Sequence, residues 1–289
     1  MPVRDNEHIL IIGAGLCGCL MALRLAQRGY TVTLAEKRPD LRLSSIDAGR
    51  SINLALSDRG LKALSMVGLK EKALAISLPM GGRMIHQKDR ASFYSPYSGN
   101  PKNAINSISR PGLNALLLDA LDVEQNVSLH FNSQCTDLNL QSKTASFKQD
   151  LPGQEPGDDA TNFDITAEVI FGCDGAGSVV RKSLEKIPGH YFDFSLDWLS
   201  HGYKELSIAP GDDGDFQLRA DALHIWPRGQ DMIIALPNLD RSFTVTLFMG
   251  HQTQPYGFDH LTQPSQIQEY FKSEYPELMD LIPDLLDQY

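Results

Sequence analysis

Residues 8–18 read His-Ile-Leu-Ile-Ile-Gly-Ala-Gly-Leu-Cys-Gly. The aliphatic run from Ile9 to Ile12 has the character of a buried parallel strand. It breaks into Gly13-x-Gly15-x-x-Gly18, and Leu20, Met21, Leu23, Leu25 and Ala26 then recur at helical spacing up to Gly29. Strand, glycine turn and helix form the context in which this motif points to a dinucleotide. Gly13 permits the tight turn, Gly15 lets a pyrophosphate approach the backbone, and Gly18 lets the helix pack close to the strand. The free N–H groups and partial positive charge of the helix start favour phosphate at that point.

Tyr30-Thr31-Val32-Thr33-Leu34-Ala35 reads as a second strand with Glu36 at its end. An acid at that place, roughly 20 residues on, accepts the ribose hydroxyls of a bound dinucleotide. It favours FAD or NAD over NADP in this pocket, because a 2′-phosphate would be repelled. The competing reading is a tight strand-to-helix turn in some other doubly wound protein, with Glu36 as surface charge.

Working outward, 289 residues suffice for one large or two ordinary domains. The net charge of −10 and the lack of a basic run argue against a nucleic-acid surface. No run of about 18 apolar residues occurs, so no transmembrane helix is expected. Met1 to His8 is short, polar and continuous with the first strand, so no secretory signal is expected, and the location is read as cytoplasmic. Of the four cysteines, Cys17 and Cys19 form a C-x-C without a second pair or a nearby histidine pair, and Cys135 and Cys173 stand apart. They read as small apolar residues in a reducing compartment. The eight histidines are scattered, and no metal is expected.

Further along, 37–49 reads as a loop, Arg50 to Ser57 as a short strand running into a helix cap, and Leu61, Leu64, Val67 and Leu69 as the helix's apolar face. Met84-Ile85-His86, Ala91 to Tyr94 and Ile105 to Ile108 read as strands of a separate sheet. Ser109 caps a helix with Pro111 in its first turn, where a missing N–H does no harm. Val127 to Phe131 returns to the parallel sheet, 136–169 is a meander broken by a polar loop at 152–159, and Ala167 to Phe171 is another buried strand. That strand ends in Gly172-Cys173-Asp174-Gly175-Ala176-Gly177-Ser178, and Val179 opens a helix. From about 190 the pattern becomes antiparallel, with strands at 201–208, 215–219, 222–227, 231–236 and 243–249, then helices near 264–273 and 276–287.

The glycine turn with Glu36, and Cys173-Asp174-Gly175 followed by Ser178 and Arg181, resemble the FAD-dependent aromatic hydroxylases. Longer strings resemble the kynurenine 3-monooxygenase family within them. These are Gly49-Arg-Ser-Ile-Asn-Leu-Ala-Leu56, Arg83-Met-Ile-His86, His201-Gly-Tyr-Lys-Glu-Leu206, Leu223-His-Ile-Trp-Pro-Arg228 and Phe243-Thr-Val-Thr-Leu-Phe248. The resemblance implies an α/β fold: a Rossmann-like FAD-binding domain with a parallel sheet, plus an antiparallel β-sheet substrate domain that is incomplete at its C-terminus. The boundaries it suggests are 1–77 and 109–185 for the FAD-binding part, and 78–108 and 186–289 for the substrate domain.

The chemistry implied is that NADPH reduces bound FAD, the flavin takes up O2, and a C4a-hydroperoxide delivers one oxygen to L-kynurenine, giving 3-hydroxykynurenine. By the same resemblance Arg83 holds the substrate carboxylate, a role suited to a planar, permanently charged fork, and Tyr97 is its phenolic partner. Read without the resemblance, Arg83 is a solvated strand-edge charge and Tyr97 packs in a loop. For FAD the resemblance implies Gly13, Gly15, Cys17 and Gly18 in the phosphate turn, and Ala35, Glu36, Lys37 and Arg38 around the adenosine ribose. It implies Ala55 beside the flavin, Arg110 near the ribityl–phosphate region, Cys135 on the adenine side, and Asp174 with Val179 at the Asp-Gly motif. Asp174 is read equally as a cofactor contact or as a brace for its turn.

The family carries a second FAD motif, a Gly-Asp pair leading into Ala-Ala-His, which has no counterpart here. The chain therefore resembles the N-terminal portion of such an enzyme. Two other readings stand beside a kynurenine hydroxylase: a non-catalytic FAD-binding module, and an NAD-dependent dehydrogenase.

Overall fold

The computed structural model describes residues 7–43, 53–100, 103–149, 161–187 and 192–289. The chain opens with β1 (His8–Ile12), α1 (Leu16–Ala26) and β2 (Thr31–Ala35), with Gly29 at positive φ between helix and strand. β3 (Asn53–Leu56) follows; Arg50 to Ile52 of the expected strand lie outside the described residues. Next come α2 (Asp58–Ser65) and α3 (Lys70–Ala75), separated at Gly68, whose φ of +77° ends the first helix. β4 (Ser77–Met80), β5 (Gly82–Ile85), β6 (Phe93–Pro96) and β7 (Ile105–Ser109) lead to α4 (Arg110–Asp122). Ser109 does cap α4, its Oγ accepting from the Gly112 N–H at 3.3 Å.

Then follow β8 (Val127–His130), β9 (Ser133–Asn139), β10 (Thr144–Gln149), β11 (Thr161–Thr166), β12 (Val169–Gly172) and α5 (Val179–Glu185). The loop at 152–159 lies outside the described residues. The last third holds β13 (His201–Ile208), β14 (Ala222–Arg228), β15 (Asp231–Pro237), β16 (Phe243–Gly250), α6 (Pro264–Glu274), α7 (Pro276–Leu281) and α8 (Leu285–Gln288).

Three expectations need correction. Ala167 to Phe171 is not a buried strand, because β12 is an edge strand with Val169 exposed and Ile170 and Phe171 only partly buried. Residues 215–219 are not a strand. The two Gly-Asp pairs before them fold the segment on itself: Gly214 takes φ +74°, and the Gly211 N–H donates to the Asp215 carbonyl at 2.8 Å. The helix expected over 276–287 is two helices, because Pro283 between them has no N–H to continue the ladder.

The described residues fall into two compact units, one drawn from 1–46, 63–69 and 113–196, the other from 47–62, 70–112 and 197–289. The first contains a parallel sheet in the order β12-β1-β2-β8. Register pairs Ile12 with both Gly172 and Ala35, so three strands end at one edge. Ligands of open α/β sheets bind outside such carboxyl ends. Leu10, Ile12, Ala35, Phe147 and Val180 form the core between this sheet, the antiparallel β11-β10-β9 sheet and α5.

The second unit has a six-stranded sheet, β13-β16-β15-β14-β5-β6, in which only β14 and β5 run parallel, and a three-stranded sheet, β3-β7-β4. Its core joins Trp226, Phe243, Val245 and Leu247 of the large sheet to Tyr270, Phe271, Tyr275, Leu278 and Ile282 of the C-terminal helices. Each such large apolar side chain contributes about 1.5–3 kcal/mol on burial. No helix among the described residues is long and apolar enough to cross a membrane. No cluster of His, Cys, Asp or Glu among them could hold a metal ion.

Candidate functional site

The three glycines of the opening motif meet three different physical demands. Gly13 takes φ +104°, and a Cβ there would overlap the Cys173 carbonyl. A Cβ on Gly18 would overlap the Gly13 carbonyl oxygen. Both positions are closed to any side chain by the backbone itself. Gly15 is the exception: no atom lies within 4 Å of where its Cβ would stand. It caps α1 in an extended conformation, supplies no capping side chain, and is followed by a first turn without an acidic residue. The positive end of α1 thus opens onto free space at the carboxyl edge of the sheet.

The Ala14 peptide between these glycines is gripped from both sides. Its N–H donates to Glu36 Oε2 at 2.9 Å, and its carbonyl accepts from Asn114 Nδ2 at 3.1 Å and from the Cys19 thiol at 3.2 Å. Glu36 Oε1 accepts from the Arg38 N–H at 3.1 Å and from Arg38 Nε at 3.0 Å. Glu36 is 8% exposed. Burial pushes its carboxyl up, but the hydrogen bonds from Arg38 and Ala14 outweigh burial and hold it below the usual range. It is therefore a charged acceptor with one acceptor site to spare, on Oε2, beside the open helix end. Ala35 is buried, and Lys37 and Arg38 are exposed next to it. Asn114 is a contributor that the sequence reading missed. The available signal was a polar residue on the apolar stripe of α4, in line with the buried Leu117, Leu118 and Leu121.

Cys135 is buried in β9, where burial and the charge of Asp174 push its thiol up to about 11. Asp174 is committed to its own turn. Oδ1 accepts from the Ser178 hydroxyl at 2.6 Å, and Oδ2 accepts from the Val179 N–H at 2.6 Å. Ser178 in turn caps α5, accepting from the Arg181 N–H at 3.0 Å. Asp174→Ala removes an N-terminal acceptor of this kind and is expected to cost about 1–2 kcal/mol, measured as a lower urea midpoint, with Asp174→Asn recovering part of it.

In the second unit, Arg83 projects from β5 with its guanidinium 4.7 Å from the centre of the Tyr97 ring. The glycines before it are packing requirements. A Cβ on Gly82 would press into the backbone of Ser95 and Pro96 and the Tyr94 ring, and the Gly81 carbonyl accepts from the Tyr97 N–H at 3.0 Å. Arg83 is exposed, whereas the Tyr97 hydroxyl is shut off from solvent and makes no hydrogen bond among the described residues. Burial raises the Tyr97 phenol while the nearby Arg83 charge pulls the other way. An orphaned hydroxyl beside an exposed guanidinium is a pairing that accepts a carboxylate. Leu223 pairs with Arg83 across β14 and β5, so two strings that stand far apart in sequence are neighbours. Ala55 is exposed on β3, opposite Ser107 of β7, and Arg110 is exposed at the start of α4.

Comparison with known proteins gives three findings. A family profile described as FAD binding domain matches residues 6–246. The chain is 43% identical over 292 residues to the kynurenine 3-monooxygenase of Myxococcus xanthus, covering all of this chain and 60% of that protein. It is 41% identical over 289 residues to the kynurenine 3-monooxygenase of Dictyostelium discoideum, covering 59% of that protein. The chain thus spans about three fifths of the length of these curated relatives. Among solved structures it is similar in fold to PqsL of Pseudomonas aeruginosa, described as a probable FAD-dependent monooxygenase. The TM-score is 0.68 at 15% identity, covering 96% of this chain and 71% of that one.

Proposed function

Since the chain belongs to the FAD binding domain family, we propose that it is the FAD-holding portion of an aromatic monooxygenase whose substrate is L-kynurenine. The observation that carries this is the junction at Ala14, where an uncapped helix start facing open space is joined by one peptide to a buried, charged Glu36. A diphosphate and a ribose are the two groups such a junction suits. The residues fit FAD: Gly15 leaves room for the diphosphate, the first N–H groups of α1 are free to donate to it, and Glu36 accepts from the adenosine ribose. Lys37 and Arg38 flank that ribose, and Cys135 lies on the adenine side.

When bound, FAD supplies the redox chemistry: it takes electrons from NADPH and activates O2 for transfer to the aromatic ring. The protein's own part is positioning. Arg83 would hold the kynurenine carboxylate, and the Tyr97 hydroxyl would donate to it, losing its orphan status. Asp174 with Val179 keeps the second turn closed, so that the glycine turn is backed by a fixed backbone.

The test is direct. The purified protein is expected to bind FAD, released on heating as free flavin, and in the protein with the relatives' full length L-kynurenine is expected to accelerate NADPH oxidation. Arg83→Ala is expected to raise the kynurenine concentration needed by about tenfold, the scale of one charge-assisted pair, with flavin content unchanged. Equal stimulation in the variant removes Arg83 from the substrate site. A second reading is a module that binds FAD without turnover. Flavin binding with no kynurenine-stimulated oxidation supports it.

A further inference from the structure

Arg83-Met-Ile-His86 and Leu223-His-Ile-Trp-Pro-Arg228 carry residues that the proposed chemistry leaves unused: His86, just after β5, and His224, Trp226 and Arg228 on β14. Close contacts join them. The His86 N–H donates to the Ile225 carbonyl at 2.8 Å, and the His86 carbonyl accepts from Arg228 Nη1 at 2.9 Å. The His86 ring lies flat on Trp226, with centroids 4.2 Å and planes 8° apart, and its Nε2 is 2.8 Å from His224 Nδ1. Ser92 Oγ stands 3.0 Å from His86 Nδ1, and His224 Nε2 is 2.8 Å from the Arg219 carbonyl oxygen.

These contacts admit one arrangement of protons. A carbonyl oxygen only accepts, so His224 carries its proton on Nε2. Burial, with His224 and the Arg228 charge beside it, pushes His86 down to about 4. Burial also lowers His224, which feels the charges of Arg219 and Asp221. Both rings are therefore neutral at pH 7. His224 Nδ1 is then a bare acceptor, His86 Nε2 donates to it, and His86 Nδ1 accepts from the Ser92 hydroxyl.

We infer that His86 and His224 are positioning residues for Arg83: a one-way chain of hydrogen bonds that locks β5 onto β14 in a single register and so fixes the face of the sheet that Arg83 occupies. That Arg83 meets the substrate rests on the reading above; the lock does not. β5 is only four residues long, and Gly82 contributes no side chain to hold it in place. Successive residues of a strand face opposite ways, so His86 shares its face with Met84, and Arg83 projects from the other. A slip of one residue exchanges the two faces. His86 opposes that slip, because its ring meets Trp226 and His224 together in the observed alignment. That alignment sets Met84 beside His224 and Arg83 beside Leu223.

The first test is nitrogen NMR of the purified protein at pH 7 with its histidine ring nitrogens isotopically labelled. Both rings are expected to be neutral with the proton on Nε2, and the two nitrogens of the His86–His224 hydrogen bond are expected to be coupled. A proton on Nδ1 of either ring, or a cationic ring, overturns the chain. The second test is kinetic, in the protein with the relatives' full length. His86→Phe keeps a ring on Trp226 but leaves His224 Nδ1 buried without a donor. It should raise the kynurenine concentration for half-maximal NADPH oxidation about tenfold, with the saturated rate changed less than about twofold. His86→Gln carries an amide N–H toward the place of Nε2 and should recover most of that loss. Equal losses in the two variants overturn the part of the hydrogen bond. An unchanged kynurenine requirement in His86→Phe, where Arg83→Ala raises it, overturns the positioning role. If Arg83→Ala also leaves the requirement unchanged, the substrate-site reading falls, and the NMR result still decides the lock.

Discussion

Gly15→Ser is expected to stabilise the protein slightly while weakening its binding of FAD about 100-fold. The two effects have opposite signs and one cause. Gly15 is the N-cap of α1, held at φ −71°, ψ −179°, an extended conformation open to any L-residue. Nothing occupies the space a Cβ would take. A serine there fits without strain, and its hydroxyl can accept from an N–H two or three residues on. Serine exceeds glycine as an N-cap by about 0.3 kcal/mol. The same side chain takes the place of the diphosphate and occupies its donors. Losing one or two charge-assisted hydrogen bonds of about 1.5–3 kcal/mol each gives the 100-fold figure. Flavin fluorescence titration reads the affinity, and thermal unfolding of the ligand-free protein reads the stability. Unchanged affinity in Gly15→Ser would place the diphosphate elsewhere. Gly13→Ala and Gly18→Ala are the controls. Their Cβ atoms would meet backbone, so they act on folding first and say nothing specific about the ligand.

The contrast between these glycines shows what the sequence made legible. The motif named three positions, and its spacing within a strand–turn–helix context was enough to assign the turn at Gly13 and the packing contact at Gly18. That β1 is a buried parallel strand was also readable, because a continuous aliphatic run such as Ile9 to Ile12 has no wet face; that β12 lies on its other side was not. The pairing of β5 with β14 was not, since nothing local records which distant segment will lie beside Arg83. The run 215–219 alternates like a strand, yet the Gly-Asp pairs before it satisfy their own backbone in turns. Asn114 went unnoticed because a buried amide looks, in sequence, like any helix residue between leucines. Only the fold brings it to the Ala14 carbonyl.

Glu36→Gln is expected to cost about 2 kcal/mol of stability at pH 7, to weaken FAD binding about 50-fold, and to show no stability cost in acid. The carboxylate accepts three N–H donors while 8% exposed. An amide can present only one oxygen and sets an N–H against the remaining donor, and hydrogen bonds to a charged group carry about 1.5–3 kcal/mol. The pH dependence follows from the direction of the shift. The folded carboxyl is held below its unfolded value near 4.5, so its contribution is complete above that value and fades as pH falls through the folded one. Urea midpoints of the two proteins should therefore differ fully at pH 7 and converge only as the pH falls below the folded value. A gap that persists unchanged into acid would mean that shape, and not charge, holds the turn. Glu36 and Asn114 seize the N–H and the carbonyl of one residue, so the double variant Glu36→Gln/Asn114→Leu should lose less than the sum of the two single losses. That shortfall is the physical signature of one clamp, through which Glu36 and Asn114 together set the geometry of the glycine turn.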